Sequence, residues 1–246
     1  MAFLLHTPMA AAVLYGGAPP PDPATVSGLV YRVDPASGGY QERGANTTPA
    51  ADGQPLGRIV PLVGGAAFAA PAADANRPTF VAAGLNGRPV VKFDGTNDRL
   101  KAAFTLAQPY TRVMVWRHRS AQDNNHVMAD GNTDVTAYLN FVSANTLRMY
   151  AGSGGPSVSG LSNDTWYTSA EVYDGALNST LRLNGGAAAE GGPGAGNPGG
   201  LTFGSQSNGD YFTDCDLAYV LVWDRALAAA EQNVAFAWLR SRFAHY

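Results

Sequence analysis

The sequence predicts an all-β protein, a two-sheet antiparallel jelly-roll sandwich closed by one C-terminal helix. Three observations point there. Short apolar runs recur along the chain with Gly, Pro, Asn and Asp turn signals between them, the pattern of many short strands. The 246 residues include 29 Gly and 16 Pro but only 14% charged side chains, which suits strands and turns better than helices. Only the stretch from Leu227 to Phe243 is long, free of Gly and Pro, and rich in helix formers.

Taken in order, the chain opens with an arm and spacer, residues 1–26, before a single sandwich domain over 27–246, a length that buries a sizeable core. The first residues, MAFLLHTPMAAAVLYGGA, are apolar, yet no Lys or Arg precedes Arg32 to give a secretion signal its positive start. His6 and Pro8 interrupt the run, which is too short to span a membrane. The expectation is an uncleaved arm on a chain made in the cytoplasm and exposed later by another route. Ala18 to Pro23 (APPPDP) reads as a stiff, extended spacer.

Val26 to Val33 is the first expected strand, closed by Asp34-Pro35. Residues 36–76 hold apolar islands at Leu56 to Val63 and Ala66 to Ala70, without a clear element. Pro89 to Phe93 is a strand leading into the turn Asp94-Gly95-Thr96-Asn97-Asp98. Thr111 to His118 alternates as a further strand. His126 to Ala129, Val135 to Val142 and Thr146 to Tyr150 form a meander, and Trp166 to Tyr173 pairs with Thr180 to Asn184 across Asp174-Gly175. Gly185 to Gly200 is a Gly/Ala/Pro loop with no capacity to build a core. Leu201 to Phe243 holds two strand-like runs and the helix. Within it Leu217, Tyr219, Leu221 and Trp223 alternate with Ala218, Val220 and Val222, so this run is apolar on both faces and fits a covered central strand. Glu231 in the helix's first turn complements the dipole. At 100° per residue, Leu227, Ala230, Val234, Ala237 and Trp238 make the stripe expected against the sandwich. Phe236, Leu239 and Phe243 make a second stripe, expected to be covered by the arm, a loop or a neighbouring protein.

Three blocks carry a family resemblance. YFTDCDLAYVLVWDRALAAAEQNVAFAWL from Tyr211, RPTFVAAGLNGRPVVKFDGTNDRL from Arg77 and WYTSAEVYDGALNSTLRLNGG from Trp166 resemble, in the same order, blocks of laminin-G-like domains in the concanavalin A-like lectin/glucanase superfamily. The resemblance implies a jelly roll. It leaves function open, because that fold serves lectins, hydrolases and structural modules. Such domains are often carried by phage capsids and tails, phage-like particles and bacterial adhesins. The resemblance therefore implies a non-catalytic, surface-displayed carbohydrate-binding or adhesion module. It would be a spike, fibre or decoration protein at the surface of a virion or phage-like particle, or alternatively of a bacterial cell. The competing reading is a structural decoration or assembly protein without a sugar ligand. A glycoside hydrolase ranks third: the glucanase members carry Glu-x-Asp-x-x-Glu, which is missing here. Asp214 and Asp216 are the only acids at that spacing, and Glu171 and Asp174 start on opposite faces of a strand.

A net charge of -3 with 16 scattered basic residues gives no footprint for nucleic acid. The lone Cys215 excludes an intramolecular disulfide and reads as a small buried hydrophobe. The four histidines show no zinc spacing, and no cofactor is assigned. Asp130-Gly131-Asn132-Thr133-Asp134 has oxygen ligands at alternate positions, as Ca²⁺ requires, but also reads as an ordinary hairpin turn. Sugar recognition needs an aromatic platform for the apolar ring face, and amides or carboxylates for the hydroxyls. The loops that offer both nominate Asn125, Asp130, Asn132, Asp134, Tyr138, Asn208, Asp210 and Tyr211. The partners expected are a cell-surface polysaccharide and, through the arm, other particle proteins or a second copy of the chain.

Overall fold

A computed structural model describes residues 18–120, 126–132, 137–175 and 177–246. In chain order its elements begin with β1 (Leu29–Val33), the short α1 (Pro35–Gly38), β2 (Gly39–Tyr40), β3 (Arg58–Ile59) and β4 (Phe68–Ala69). There follow β5 (Thr79–Leu85), β6 (Arg88–Asp94), β7 (Leu100–Ala103), β8 (Tyr110–His118), β9 (Val127–Asp130), β10 (Tyr138–Ser143), β11 (Thr146–Tyr150) and β12 (Gly154–Ser159). The chain closes with β13 (Tyr167–Tyr173), β14 (Ser179–Leu183), β15 (Ala189–Gly191), β16 (Gly200–Phe203), β17 (Asp214–Trp223) and α2 (Ala229–Phe243). One sheet runs β15-β14-β13-β8-β17-β6-β5, with β1 also on β17; the other runs β12-β11-β10-β9-β16-β7-β4-β3-β2. All pairings are antiparallel, and the fold is the expected all-β sandwich with a C-terminal helix.

The doubly apolar β17 lies at the centre of the first sheet, between β8 and the pair β6 and β1. A register shift between Leu217 and Tyr219 breaks its simple alternation, as a bulge does. Cys215, Leu217, Val220 and Val222 therefore enter the layer between the sheets, while Tyr219, Leu221 and Trp223 face α2. Burial pushes the Cys215 thiol up, which leaves it inert. The inter-sheet layer also holds a charged pair, Arg112 and Glu171, both fully buried. Ser169 donates to Glu171 at 2.6 Å and receives the Trp116 indole N–H at 2.9 Å.

The helix sits the other way round from its expected pose. Ala235, Phe236, Leu239 and Phe243 pack on the sheet, whereas Ala230 and Ala237 are exposed and Val234 and Trp238 are half-buried. Leu227 of the expected stripe, ahead of the helix, is buried as expected, and Val234 and Trp238 still pack partly against the same cluster; this pose buries two Phe and a Leu fully at about 25 cal/mol per Å² and leaves only two Ala of that stripe in water. The second stripe is thus covered by the chain's own sheet. Trp238 stacks at the margin under the Arg32 and Arg242 guanidiniums, 4.9 and 5.3 Å from its ring.

Three more expectations change. The end of the proline spacer is not extended: Pro23–Thr25 makes a 3₁₀ turn capped by Asp22, which also binds Arg32 at 2.9 Å. Within residues 36–76, for which no element was expected, the apolar islands supply β3 and β4 and bury Leu56, Ile59 and Phe68. The Gly-rich stretch 185–200 adds β15 to a sheet edge and ends in β16. Gly200 takes φ +126 there, and a Cβ on it would lie 2.2 Å from the Ala102 carbonyl, so only glycine fits.

Candidate functional site

The hairpin β10–β11 turns at Ala144 and Asn145, and its register sets Tyr138 opposite Tyr150, Leu139 opposite Met149, Asn140 opposite Arg148 and Phe141 opposite Leu147. Leu139, Phe141, Leu147 and Met149 fill the layer between the sheets. Because strand side chains alternate, Tyr138, Asn140, Arg148 and Tyr150 stand together on the other face. The two tyrosine rings stack, with centroids 4.5 Å apart and planes 14° from parallel. Burial pushes the Tyr138 phenol above its ordinary value, with Tyr150 adding to the shift and Arg148 opposing it.

Arg148 is half-buried, and among the described residues no carboxylate lies within ion-pair distance of it. Its Nε is buried and makes no hydrogen bond. Asn140 is 0% exposed, and neither its Oδ1 nor its Nδ2 has a partner. Each buried unpaired polar atom costs about 1–3 kcal/mol, so this corner of the sheet is polar beyond the needs of the fold.

The chain between β16 and β17 closes one side of this face. Ser207 N–H donates to Asp130 Oδ2 at 2.8 Å, Gly131 N–H to Asp130 Oδ1 at 2.7 Å, and Lys101 Nζ to the Ser207 carbonyl at 3.1 Å. Val127 N–H donates to the Tyr211 carbonyl at 2.9 Å. His126 Nδ1 meets the Phe212 carbonyl. Tyr211 itself is 47% exposed at φ +52, a left-handed conformation rare outside glycine, and lies within electrostatic reach of Tyr138.

Of the nominated residues, the structure brings Asp130, Tyr138 and Tyr211 together. Asp130 is wholly buried and spends both oxygens on backbone N–H groups; it anchors the Ser207 segment rather than facing a ligand. Asn208 and Asp210 are exposed and bond each other at 2.9 Å. Asn132 is half-buried, its N–H held by the Pro198 carbonyl at 2.7 Å. Asn125 and Asp134 lie outside the described residues. Tyr150, Arg148 and Asn140 escaped notice in the sequence, and counting outward from the Ala144-Asn145 turn would miss their pairing by one residue, because the register shifts between Phe141 and Ser143.

Other chemistry is occupied elsewhere. Arg119 binds both Asp214 and Asp216, and Arg117 binds Asp216 at 2.6 Å; Glu171 is held by Arg112. Among the described residues no group of three His, Cys, Asp or Glu is placed to hold a metal, and no helix is long and apolar enough to cross a membrane. A cleft of about 430 Å³ opens between the β13–β14 hairpin and the first turn of α2, lined by Asp174, Asn178, Thr180, Arg182 and Glu190 with no aromatic ring. Arg182 is tied there to Gly185, Gly186 and Asn233, each at 3.0 Å.

No protein-family model matches the sequence, and no curated protein matches it. Solved structures do share the fold. A Trypanosoma rangeli sialidase mutant displaying trans-sialidase activity superposes with a TM-score of 0.60 at 13% identity, over 94% of this chain and 35% of that one. The same sialidase in complex with sialic acid gives 0.56 at 14% identity, over 90% and 34%. The botulinum neurotoxin serotype G binding domain gives 0.57 at 11% identity, over 87% and 51%. The chain thus spans about a third of the sialidases and about half of the toxin domain. At these identities the likeness is one of fold, a β-sandwich within larger proteins, and no laminin-G family match accompanies it.

Proposed function

We propose that this chain is a non-catalytic glycan-binding module, displayed at the surface of a particle or cell, and that it binds through the Tyr138–Tyr150 face. The observation that carries this reading is the stacked tyrosine pair beside polar groups the fold leaves unpaired, Arg148 and the Asn140 amide. Rings of this kind take the apolar face of a pyranose, and neighbouring donors and acceptors take its hydroxyls. The exposed Tyr211 extends the aromatic surface. A sandwich of this fold also occurs in a sialidase solved with sialic acid and in a toxin receptor-binding domain, which agrees with a binding role. Retaining or inverting hydrolysis needs two free carboxylates at a set separation, and Asp214, Asp216 and Glu171 are each bound to an arginine.

The test is a glycan array with the full chain, followed by titration of each hit. Tyr150→Ala is expected to weaken binding about fivefold to tenfold in a chain that still folds cooperatively, because stacking on an aromatic contributes about 1–1.5 kcal/mol. Binding untouched by Tyr150→Ala and Tyr211→Ala would move the site elsewhere, and no binding to any glycan would favour a structural decoration protein.

A further inference from the structure

We infer that the glycan is acidic: Arg148 is placed to receive the carboxylate of a pyranose whose ring lies on the half-buried Tyr150, with the buried Tyr138 stacked on that ring from the protein side. This rests on the tyrosine face being the binding site. Acids outnumber basic residues in the chain, 19 to 16, so an arginine without a counter-ion is not forced by composition. Arg32, Arg77, Arg112, Arg117, Arg119, Arg225 and Arg242 each meet an aspartate or glutamate. Among the described residues Arg148 meets none; Arg43, Arg88 and Arg182 also lack an acid but donate to backbone carbonyls, whereas the half-buried Arg148, like Arg58, has an Nε shielded from water without a partner.

Its place in the sheet fits this role. Arg148 stands across the ladder from Asn140 and two residues from Tyr150 on the same strand face, so charge, amide and ring share one small area. A guanidinium presents paired N–H donors in a plane that matches a carboxylate. The Asn140 amide, wholly buried with both polar atoms unpaired, adds polarity behind the accessible surface and does not itself reach a ligand. Towards β12, the Arg148 Nη1 lies beside Gly154, where a Cβ would meet it in ordinary contact at 3.4 Å.

Uronic acids and sialic acids both supply a pyranose carboxylate, and the test separates them. Polygalacturonate oligosaccharides, their methyl esters, sialyllactose, cello-oligosaccharides and dextran sulfate are titrated against the full chain at low and high salt. The expected result is at least tenfold tighter binding of polygalacturonate than of its ester, or of sialyllactose than of lactose, with the preference fading in high salt. Arg148→Gln should abolish the preference for the acid over its ester, with the melting temperature kept, and Arg148→Lys should keep part of that preference. A preference that survives Arg148→Gln, ester binding as tight as acid, or binding of dextran sulfate alone overturns the inference. Neutral binding that depends on Tyr150 with no preference for acid refutes only the role of Arg148. Loss of all glycan binding refutes the tyrosine face as well.

Discussion

At the residue scale, two ionisable groups pull the pH dependence of stability in opposite directions. Burial pushes Asp98 up to about 6, with the Asp94 charge adding to the shift and Arg119 opposing it. Burial, then the Arg240 charge, pushes His245 down to about 4, and its Nε2 lies 2.9 Å from the Thr168 hydroxyl. Between about pH 4 and 6 folded Asp98 keeps a proton that the unfolded chain, at an ordinary 3.8, has released; its contribution falls as pH rises. Folded His245 stays neutral while the unfolded chain, at 6.5, takes up a proton; its contribution falls as pH drops towards 4. The expected wild-type profile is therefore shallow across this window. Asp98→Asn keeps an acceptor for the Asp94 N–H, a bond of 3.0 Å, and should leave stability rising with pH. His245→Gln should leave it falling. Urea midpoints at half-unit pH steps test this, and parallel slopes in all three proteins would refute it.

At the element scale, the orientation of α2 makes a sharp prediction, because the amphipathic pattern allowed the opposite pose. Phe236 and Leu239 are buried against β17 and its neighbours, so Phe236→Ala should cost about 3–5 kcal/mol and Leu239→Ala about 2–5. Ala237→Ser, on the exposed side, should stay within about 0.5 kcal/mol. Denaturant unfolding measures all three, and a costly Ala237 with a tolerant Phe236 would restore the other face. The same helix is fastened at both ends. Arg225 and Glu231 bond at 2.6 Å beside its start, and Asn86 and Arg88 donate to the carbonyls of Phe243 and Arg242 at its end, where unpaired carbonyls need donors.

At the scale of the whole molecule, the sandwich begins earlier than a boundary at residue 27. Pro23 and Val26 are buried, Asp22 holds Arg32, and the Trp223 indole donates to the Val26 carbonyl at 3.2 Å. Deleting residues 1–26 strips the acceptor from a buried N–H at the middle of the fold, a loss of about 1–3 kcal/mol before the lost apolar contacts are counted. A chain starting at residue 27 should therefore melt several degrees below one starting at residue 18. Equal melting temperatures would return the boundary to 27.

Local pattern alone determined a good deal. The alternation over Thr111 to His118, Thr146 to Tyr150, Trp166 to Tyr173 and Leu217 to Trp223 located β8, β11, β13 and β17 within a residue or a few, and Asp174-Gly175 marked the hairpin between β13 and β14. Such signals are legible because a strand with a buried face must repeat every second residue. Tertiary structure decided the rest. Two-residue strands such as β2, β3 and β4 have no period to read, and they exist only because distant neighbours supply their hydrogen bonds. Which stripe of α2 is buried depended on the sheet it met. Asp130 looked like a loop ligand until Ser207, 77 residues away, folded over it. The stacked tyrosines, Arg148 and Asn140 form a site only through strand register, which sets side chains from two strands on one face that no single window of sequence contains.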